Sequence, residues 1–333
     1  MILEFFAILF AFINILTFLL YALDKRKAVR GGWRINESVL IFFTLALGGF
    51  GAFLGMMVFR HKTKRKKFKL SVFMGLVLSL VFTIHILHGF TLGQFIQFIE
   101  LPFQNENWPA ELSGYRIAFM TDFHAITEEE MREVVLELNE RNIDLLLLGG
   151  DFSMRNNHYQ GTLVQISQTK TTDGIFGVEG NHDDYRRLFS MKEELGITPL
   201  DNSGLHIRNG FFLGGVQDLW NRKPSIEEAI KRSNYSDFIL LISHNPDVAM
   251  QQQTHDIDLI LSGHTHNGQI TFFGIPFYLL RDSITAYGMR FAHGFAYSAD
   301  DVPVFISSGV GRYFSIPRVF VSPEVVIFTM HSQ

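Results

Sequence analysis

The segment YRIAFMTDFH, residues 115–124, joins an apolar run to two polar side chains that follow it at once. The run at 115–120 predicts a buried β-strand, and Asp122 and His124 lie just past its carboxyl end. Residues two apart on an extended chain share a face, so this carboxylate and this imidazole are expected to point the same way. An oxygen donor and a nitrogen donor side by side at a strand end predict part of a metal site.

The same arrangement recurs between this segment and His266. Apolar runs at 143–148, 174–178, 238–242 and 258–261 predict further strands, and each ends in a polar segment. Thr127 followed by Glu130 predicts a capping box, and therefore a helix after the first strand. The alternation of strand, polar loop and helix predicts an α/β fold with its site at the carboxyl ends of the strands. The polar segments are Gly149-Gly150-Asp151, Gly180-Asn181-His182-Asp183, Ser243-His244-Asn245 and Gly263-His264-Thr265-His266.

The polar segments supply carboxylate, amide and imidazole side chains, and the chain has no Cys. Hard oxygen donors together with imidazole nitrogens suit Mn, Fe or Zn better than Ca. We therefore expect two divalent metal ions as cofactors, with Mn as the first choice and Fe or Zn as the alternatives. Asp151 stands alone behind two glycines and is the best candidate to bridge the two ions. The candidate ligands are Asp122, His124, Asp151, Asn181, His244, His264 and His266.

His182 and Asp183 remain as candidates for catalysis. A two-ion site lowers the pKa of a bridging water, so no Ser or Cys nucleophile is needed. A His beside the metal ions can protonate the leaving oxygen as a general acid, and His182 fits this role. Asp183 follows it directly and is expected to orient it. Arg155, Asn156 and Asn157 either meet substrate oxygens or form a solvated loop, and the sequence leaves both alternatives open.

The five segments, in this order and at this spacing, resemble the calcineurin-like metallophosphoesterases from about Tyr115 to the C-terminus. The resemblance implies a four-layer α/β/β/α sandwich that hydrolyses a phosphomonoester, phosphodiester or pyrophosphate bond by metal-activated water. The chain departs from many relatives at Phe123 and Ala125-Ile126, where they have Leu and Gly, and this affects the fit of the substrate. By position, the resemblance implies that one ion takes Asp122, His124 and His266, that the other takes Asn181, His244 and His264, and that Asp151 bridges.

The C-terminal tail carries a further resemblance. Its segments are similar to the membrane-associated bacterial branch of the same family, some members of which act on lipid-linked phosphates. The similarity implies a lipid-linked or envelope phosphate as the substrate. The segments are Ser308-Gly309-Val310-Gly311, Ile316-Pro317-Arg318 and Pro323-Glu324.

Two aromatic groups allow different interpretations. Trp220 follows an apolar run, and core packing is expected, with lining of the cleft as the alternative. Phe272, Phe273, Phe277 and Tyr278 are expected to be buried in the core or in a strand. The alternative for this second group is an apolar wall that faces the membrane.

The first 90 residues differ in composition from the rest. They carry 12 Lys/Arg and 3 Asp/Glu, a balance of +9, whereas the remainder carries 17 and 30, a balance of −13. Apolar stretches at 1–23, 40–59 and 70–88 approach or reach the roughly 20 residues that cross a bilayer. Glycines in the second stretch either let helices pack closely or break it into a re-entrant hairpin, so two or three hydrophobic segments are expected. The acidic remainder argues against a nucleic-acid partner.

We expect a multi-pass membrane domain with basic loops at 1–90, an amphipathic linker at 91–110 and the metallophosphoesterase domain at 111–333. Of the two basic loops, the one at 60–69 is denser in Lys/Arg than the one at 24–34. Such loops prefer the cytoplasm, so the catalytic domain is expected outside the cytoplasm. The first region resembles small bacterial membrane domains of uncharacterised function, although Asn36 stands where they usually have Pro. A plain anchor with a basic collar that binds lipid headgroups is the alternative. The motifs are Tyr21-Ala22-Leu23-Asp24-Lys25-Arg26, Ala28, Trp33-Arg34-Ile35, Glu37, Gly48-Gly49, Gly51-Ala52 and Phe59-Arg60-His61-Lys62-Thr63.

These patterns predict a membrane-anchored two-metal phosphoesterase in the cell membrane. Its expected partners are the lipid bilayer and a phosphate-containing, lipid-linked substrate. The alternative is a membrane sensor or partner protein whose metal-binding domain is regulatory rather than catalytic. The two hypotheses differ in whether substitution of Asp151 removes the function of the protein.

Overall fold

Residues 2–152, 159–184, 194–254, 256–276, 284–313 and 316–333 are described by the computed structural model. Two compact units make up the chain, Met1–Leu92 and Gly93–Gln333. The described part of the first unit is helical, and the second contains two β-sheets with helices packed against them. The predicted combination of a helical region and an α/β domain is therefore confirmed.

Helices of very different length build the first unit. Two segments, Leu3–Val29 and Lys66–Gln94, are long and apolar enough to cross a membrane by length and composition. The apolar stretch at 40–59 is divided into two short helices by a break at 46–48, so it matches the interrupted alternative and not one continuous helix. The helices are α1 (Ile2–Val29), α2 (Glu37–Leu45), α3 (Gly49–Val58) and α4 (Lys66–Phe90).

Glycines bring these helices into backbone contact. A Cβ atom on Gly51 would lie 1.9 Å from the carbonyl oxygen of Asn14, and one on Gly49 would lie 2.1 Å from the carbonyl carbon of Gly75. No side chain fits at such distances, so α3 contacts α1 and α4 at these glycines. The Asn14 amide also donates to the Leu47 carbonyl (2.9 Å) and accepts from Gly51 N–H (3.0 Å), which fixes the break to α1. Close helix packing is thus the role of the glycine-rich motif within this unit.

A group of charged side chains, here named the Asp24 cluster, consists of Asp24, Arg34, Glu37, His61 and Lys62. Asp24 is fully buried and accepts hydrogen bonds from Arg34 (2.8 Å) and from His61 Nε2 (2.7 Å). The ammonium group of Lys62 is also buried and lies 2.6 Å from the Glu37 carboxylate. Charges are tolerated in such places when they are paired. All five residues belong to the motifs shared with the small membrane domains, so polar pairing inside the unit accounts for these five positions of the motifs.

The described residues of the second unit form two six-stranded sheets. Its strands are β1 (Gln97–Asn105), β2 (Tyr115–Met120), β3 (Leu145–Leu148), β4 (Ile175–Gly177), β5 (Ile197–Pro199), β6 (Ser203–Arg208), β7 (Phe211–Gly215), β8 (Phe238–Ile242), β9 (Leu259–Ser262), β10 (Gly294–Tyr297), β11 (Pro303–Ile306) and β12 (Glu324–Ser332). The first sheet has the order β1-β12-β2-β3-β4-β5, and the second has the order β10-β11-β9-β8-β7-β6. Strands β2 to β4 are parallel to one another, as are β7 to β9, so the carboxyl ends within each set lie at one edge.

Apolar side chains of both sheets form one shared core. Phe119 and Leu147 of the first sheet are buried in the same cluster as Leu240 and Phe305 of the second. Separate apolar clusters hold helices against the opposite faces of the sheets. The α/β/β/α sandwich is therefore confirmed. The first sheet carries α5 (Glu128–Asn139) and α6 (Tyr159–Ile166), and the second carries α7 (Ile226–Ile230) and α8 (Val248–Gln251).

The segment at 91–110 is not the linker that its composition predicted. Within it, Gln97–Asn105 forms β1, an edge strand that pairs in parallel with β12 along its whole length. Exposure alternates along β1 because one face contacts the core and the other faces outward, which produces the mixed composition of an amphipathic segment. Pro102 is tolerated because an edge strand need not donate a hydrogen bond from every residue. The catalytic unit therefore begins before the predicted residue 111.

Candidate metal centre

Polar segments follow the carboxyl ends of β2, β3, β4, β8 and β9, and the structure brings them together. A side-chain oxygen or nitrogen of every predicted ligand lies within 3.4 Å of another predicted ligand. We name this group the ligand cluster. Its members are Asp122, His124, Asp151, Asn181, His244, His264 and His266.

One half of the ligand cluster contains Asp122, His124 and His266. The Nε2 atoms of His124 and His266 lie 3.0 Å apart. The Asp122 Oδ1 atom lies 3.4 Å from His266 Nε2 and 3.9 Å from His124 Nε2. One carboxylate oxygen and two imidazole nitrogens therefore face a common point, as the ligands of one cation do.

The other half contains Asn181, His244 and His264. His244 Nε2 lies 3.1 Å from Asn181 Oδ1 and 3.3 Å from His264 Nδ1. The opposite ring nitrogens contact carbonyl oxygens, His244 Nδ1 that of Gly149 (2.8 Å) and His264 Nε2 that of Ile284 (3.0 Å). A carbonyl only accepts, so these nitrogens donate, and the opposite nitrogen of each ring points into the cluster. The backbone thus sets the orientation in which each imidazole would bind a metal ion.

Asp151 lies between the two halves. Its Oδ2 atom is 3.4 Å from His124 Nε2 and 3.3 Å from His244 Nε2. Its Oδ1 atom accepts a hydrogen bond from the backbone N–H of His182 (2.8 Å). This carboxylate therefore occupies the position that a ligand shared by two ions requires.

The protonation states of three members of the ligand cluster, His124, Asp151 and His264, suit divalent cations. Burial lowers the pKa of His124 to about 4 and that of His264 to about 3, so both rings are neutral, the form that binds metal. Burial alone would raise the pKa of Asp151, but the neighbouring charge of His244 holds it below its usual range. The Nδ1 atoms of His124 and His266 are buried without a hydrogen-bond partner among the described residues, which fits rings that are held through Nε2. The ionised carboxylate of Asp151 and the neutral rings of His124 and His264 are donors that fit divalent metal ions.

The backbone of the ligand cluster is strained. Asp122, Asp151, His264 and His266 have φ values of 57°, 57°, 72° and 52°, and His124 has 39°. Residues with a Cβ atom rarely adopt such left-handed values, which cost roughly 1–2 kcal/mol each. Strain of this kind is concentrated at functional sites, where the surrounding structure enforces it. Nothing in the sequence pattern predicted it.

Glycines of the C-terminal tail lie against the first ligand segment. A Cβ atom on Gly309 would lie 2.6 Å from the Asp122 Cβ atom, and one on Gly311 would lie 1.8 Å from the Phe123 carbonyl oxygen. The backbone N–H of Gly311 donates to the Asp122 carbonyl (2.9 Å). The tail motif thus supports the backbone that carries Asp122 and His124.

Asp183 has a different partner from the one that the sequence predicted. Its Oδ2 atom accepts hydrogen bonds from the N–H groups of Asp151 and Gly180, and its Oδ1 atom accepts one from Phe152, each at 2.8 Å. These donors belong to the loops that carry Asp151 and Asn181. In the described part of the chain, Asp183 therefore positions the loop of Asp151 and not the ring of His182.

The ring of His182 lies at the edge of the ligand cluster. Its centroid is 5.3 Å from that of His124 and 5.5 Å from that of Tyr313. It lines a cavity of about 500 Å³ that the ligand cluster also borders. The position allows contact with a substrate held in the cavity, as the predicted acid requires. Apolar side chains form the remaining wall, among them Trp220, Ile270, Ile284, Tyr313 and Ile316.

Sequence reasoning missed most of this apolar wall. Trp220 is 51% exposed and its ring stands perpendicular to that of His264 at 4.4 Å, so the expected core position was wrong and the cleft alternative describes it. Ile316 belongs to a motif of the C-terminal tail, but the sequence predicted no contact with the cavity for this residue. Ile270 and Ile284 carry no sequence signal, because any isoleucine of a folded domain can be in the core. Arg155, Asn156, Asn157, Phe277 and Tyr278, for which contacts were predicted, lie outside the described residues.

Comparison with known families places each unit separately. The model of a family described as calcineurin-like phosphoesterase matches residues 115–268, which contain all the ligands of the cluster. A second family model, described as a protein of unknown function (DUF1294), matches residues 14–68 of the helical unit. The two sequence resemblances thus correspond to two recognised families.

Individual relatives give the same result. An "uncharacterized metallophosphoesterase" of Helicobacter pylori is 30% identical over 304 residues, which are 87% of this chain and 78% of the relative. The "uncharacterized metallophosphoesterase YkuE" of Bacillus subtilis is 28% identical, over 67% of this chain and 82% of its own length. A "transmembrane protein with metallophosphoesterase domain" of Danio rerio is 26% identical, over 85% of this chain and 68% of its own. The last similarity agrees with the two long apolar helices in associating the chain with a membrane.

Proposed function

Because this chain belongs to the metallophosphoesterases and is a hydrolase of phosphoric esters, we propose that it cleaves a lipid-linked phosphomonoester or phosphodiester at a membrane surface. The observation that carries the proposal is the ligand cluster, which borders a mostly apolar cavity. A phosphate group fits beside the cations, and the apolar wall suits a substrate whose alcohol part is hydrophobic.

The ligand cluster would hold two divalent cations, with Mn as the first choice. One would be held by Asp122, His124 and His266, the other by Asn181, His244 and His264, and Asp151 would be shared. When bound, the pair lowers the pKa of a water molecule and balances negative charge on the phosphoryl oxygens.

The chain's own residues supply orientation and a proton. His182 lines the cavity, and its backbone N–H donates to Asp151, which ties the backbone of His182 to the ligand cluster. There it donates a proton to the leaving oxygen. Asp183 holds the loop of Asp151 through three backbone hydrogen bonds, and the apolar wall limits the access of bulk water.

The membrane is the second part of the proposal. We place the protein in the cell membrane as a multi-pass protein, with the basic loops in the cytoplasm and the catalytic unit on the opposite side. The +9 balance of residues 1–90 and the density of Lys/Arg at 60–69 support this orientation. The bilayer is then a partner, and the −13 balance of the remainder disfavours nucleic acid. A phosphatase reporter that is active only outside the cytoplasm, fused after Gln333, tests the orientation, and an inactive fusion beside an active cytoplasmic reporter contradicts it.

Hydrolysis by the purified full chain in detergent tests the activity. We expect turnover of an aryl phosphomonoester or phosphodiester that is lost with a chelator and returns when Mn²⁺ is added. Fe²⁺ and Zn²⁺ in parallel assays identify the preferred metal. If the metal-loaded chain hydrolyses neither class of ester, the regulatory alternative replaces the enzymatic one.

A further inference from the structure

A short hairpin follows the ligand His266 in the chain. Phe272 and Ile275 exchange two backbone hydrogen bonds, of 3.0 and 3.1 Å. Between them, Phe273 and Gly274 both have positive φ values, 50° and 87°. These are the features of a tight two-residue turn. We name residues 270–275 the apolar hairpin.

The side chains of the apolar hairpin are large, apolar and half exposed. The exposed fractions are 49% for Ile270, 44% for Phe272, 50% for Phe273 and 50% for Ile275. Single exposed apolar residues are ordinary, but a contiguous patch at a loop tip is typical of an interaction site. The burial that the sequence predicted for Phe272 and Phe273 is therefore only partial.

Phe273 is an unfavourable residue for the turn that it occupies. The first central position of such a turn prefers Asn, Asp or Gly, because a positive φ crowds the Cβ atom of other residues. A phenylalanine at φ 50° therefore costs the fold some stability. One side of its ring contacts that of Phe320, at a centroid distance of 5.1 Å, and half of the side chain stays exposed and can meet a surface outside the folded unit.

The apolar hairpin is joined to the wall of the cavity. Ile270 itself lines the cavity, and Thr271 N–H donates to the Val319 carbonyl (3.0 Å). The next residue back, Gln269, donates from its side chain to the carbonyls of Tyr313 (3.1 Å) and Ile316 (3.2 Å). These contacts hold the apolar hairpin beside the cavity. Any surface that the tip of the hairpin contacts therefore lies next to the mouth of the cavity.

We propose that the apolar hairpin inserts its tip into the interface of a lipid bilayer and so lets the cavity take the hydrophobic part of its substrate from the membrane. This rests on the proposed function, which supplies the phosphoester chemistry. The same chain contains two helices long enough to cross a bilayer, so a membrane is within its reach. Aromatic side chains are enriched at membrane interfaces.

Charge distinguishes a bilayer from a protein partner. The sequence has no Asp, Glu, Lys or Arg between His266 and Arg281. A protein interface has a polar rim around its apolar centre, whereas the acyl boundary of a bilayer accepts an uncharged apolar segment. The composition therefore favours lipid.

The substrate class follows from this geometry. An amphiphile whose phosphoester reaches the ligand cluster would place the start of its hydrophobic chain along Ile270, Ile284 and Ile316. A cavity of about 500 Å³ is too small for a complete long-chain lipid, so the rest of the chain remains in the bilayer.

Fluorescent labelling of the full chain tests the insertion. The protein has no native cysteine, so Phe273→Cys and Ile275→Cys each carry one environment-sensitive fluorophore. Tyr235→Cys, at a fully exposed side chain of the same unit, is the matched control. The labelled proteins are reconstituted in phosphatidylethanolamine–phosphatidylglycerol vesicles, with and without lipids that carry a nitroxide on the acyl chain.

We expect the labels at 273 and 275 to emit at shorter wavelength and to be quenched by the nitroxide lipids, while the label at 235 is unaffected. If both hairpin labels behave like the control, the insertion does not occur. If they are shielded from the nitroxide and their emission shifts when the protein is diluted in the vesicles, the hairpin binds a second copy of the chain and the proposal is wrong. No turnover is needed for this readout, so it is independent of the proposed activity.

A double variant connects the hairpin to the substrate. Phe272→Ser with Ile275→Ser removes apolar surface without touching the side chains that line the cavity. We expect kcat/KM for a vesicle-borne phosphatidyl substrate to fall by about tenfold, because roughly the equivalent of one buried apolar side chain is lost. The value for a water-soluble aryl phosphoester should be unchanged. An equal fall for both substrates would show that the hairpin acts on the site itself and would contradict delivery from the membrane.

Discussion

The Asp24 cluster and the ligand cluster both contain buried carboxylates, and they differ in the groups that surround these carboxylates. In the Asp24 cluster the chain itself supplies the cations, since Arg34 and Lys62 lie 2.8 and 3.6 Å from the Asp24 carboxylate, to which His61 also hydrogen-bonds. In the ligand cluster the carboxylates face imidazoles, and burial raises the pKa of Asp122 to about 7. The comparison teaches that buried carboxylates surrounded by fixed cations stabilise a fold, whereas those that face several imidazoles suit a metal ion.

The strongest test of this comparison is removal of the Asp151 carboxylate, which the proposed function assigns to both ions. We expect Asp151→Asn to reduce hydrolysis by about 10⁴-fold or more and to lower the bound metal, because the charge between the two sites is lost. Metal content by mass spectrometry and turnover of an aryl phosphoester measure both effects. The control is Asp301→Asn, an exposed residue with a similar φ of 62°. Full activity in Asp151→Asn would show that the ligand cluster is not a two-metal centre.

The equivalent change in the Asp24 cluster should affect stability. Asp24→Asn removes a negative charge that balances the buried ammonium group of Lys62. It also weakens the hydrogen bond that the Ile35 N–H group donates to the carboxylate, 3.0 Å long in the native protein. We expect a loss of about 3 kcal/mol, seen as faster amide hydrogen exchange at residues 30–36. Glu4→Gln, an exposed carboxylate on the same helix, should leave the exchange unchanged. If Asp24→Asn abolished metal binding or turnover and left amide hydrogen exchange unchanged, the Asp24 cluster would be a functional site and not a structural one.

His182 should affect catalysis and leave metal binding intact. We expect His182→Ala to lower turnover by about 10²–10³-fold with both ions retained, since a proton donor and not a ligand is lost. Metal content and rate are measured on the same preparation, and His331→Ala serves as the control. Loss of metal in His182→Ala would place this residue among the ligands.

Asp183 gives the smallest and most discriminating effect. Asp183→Asn removes one of the oxygens that accept backbone N–H groups, so we expect metal affinity to fall by about tenfold. Saturating Mn²⁺ should then restore the rate, with an unchanged pH profile. A rate that stays low together with a shifted profile would support the predicted contact with His182 instead.

The sequence predicted most of the fold and of the donor set because these depend on neighbouring residues. Thr127 and Glu130 form the capping box that their spacing indicated. The segment at 97–105 was misassigned, because its alternation is compatible with an interfacial segment until β12, more than 200 residues away, pairs with it. Trp220 was misplaced for the same reason, since its neighbour His264 comes from another part of the chain.

By itself, the sequence determined which donors this protein has, that they follow strands, and that a region of three apolar stretches and basic loops precedes them. Only the tertiary structure decided that five ligand-bearing residues adopt left-handed φ values, that Asp183 binds the loop of Asp151, and that the apolar hairpin is exposed. The physical reason is the distance along the chain over which each effect acts. Periodicity and capping act over a few residues, whereas the partner of a buried side chain and the strain of its backbone are set by strands that meet from distant parts of the chain.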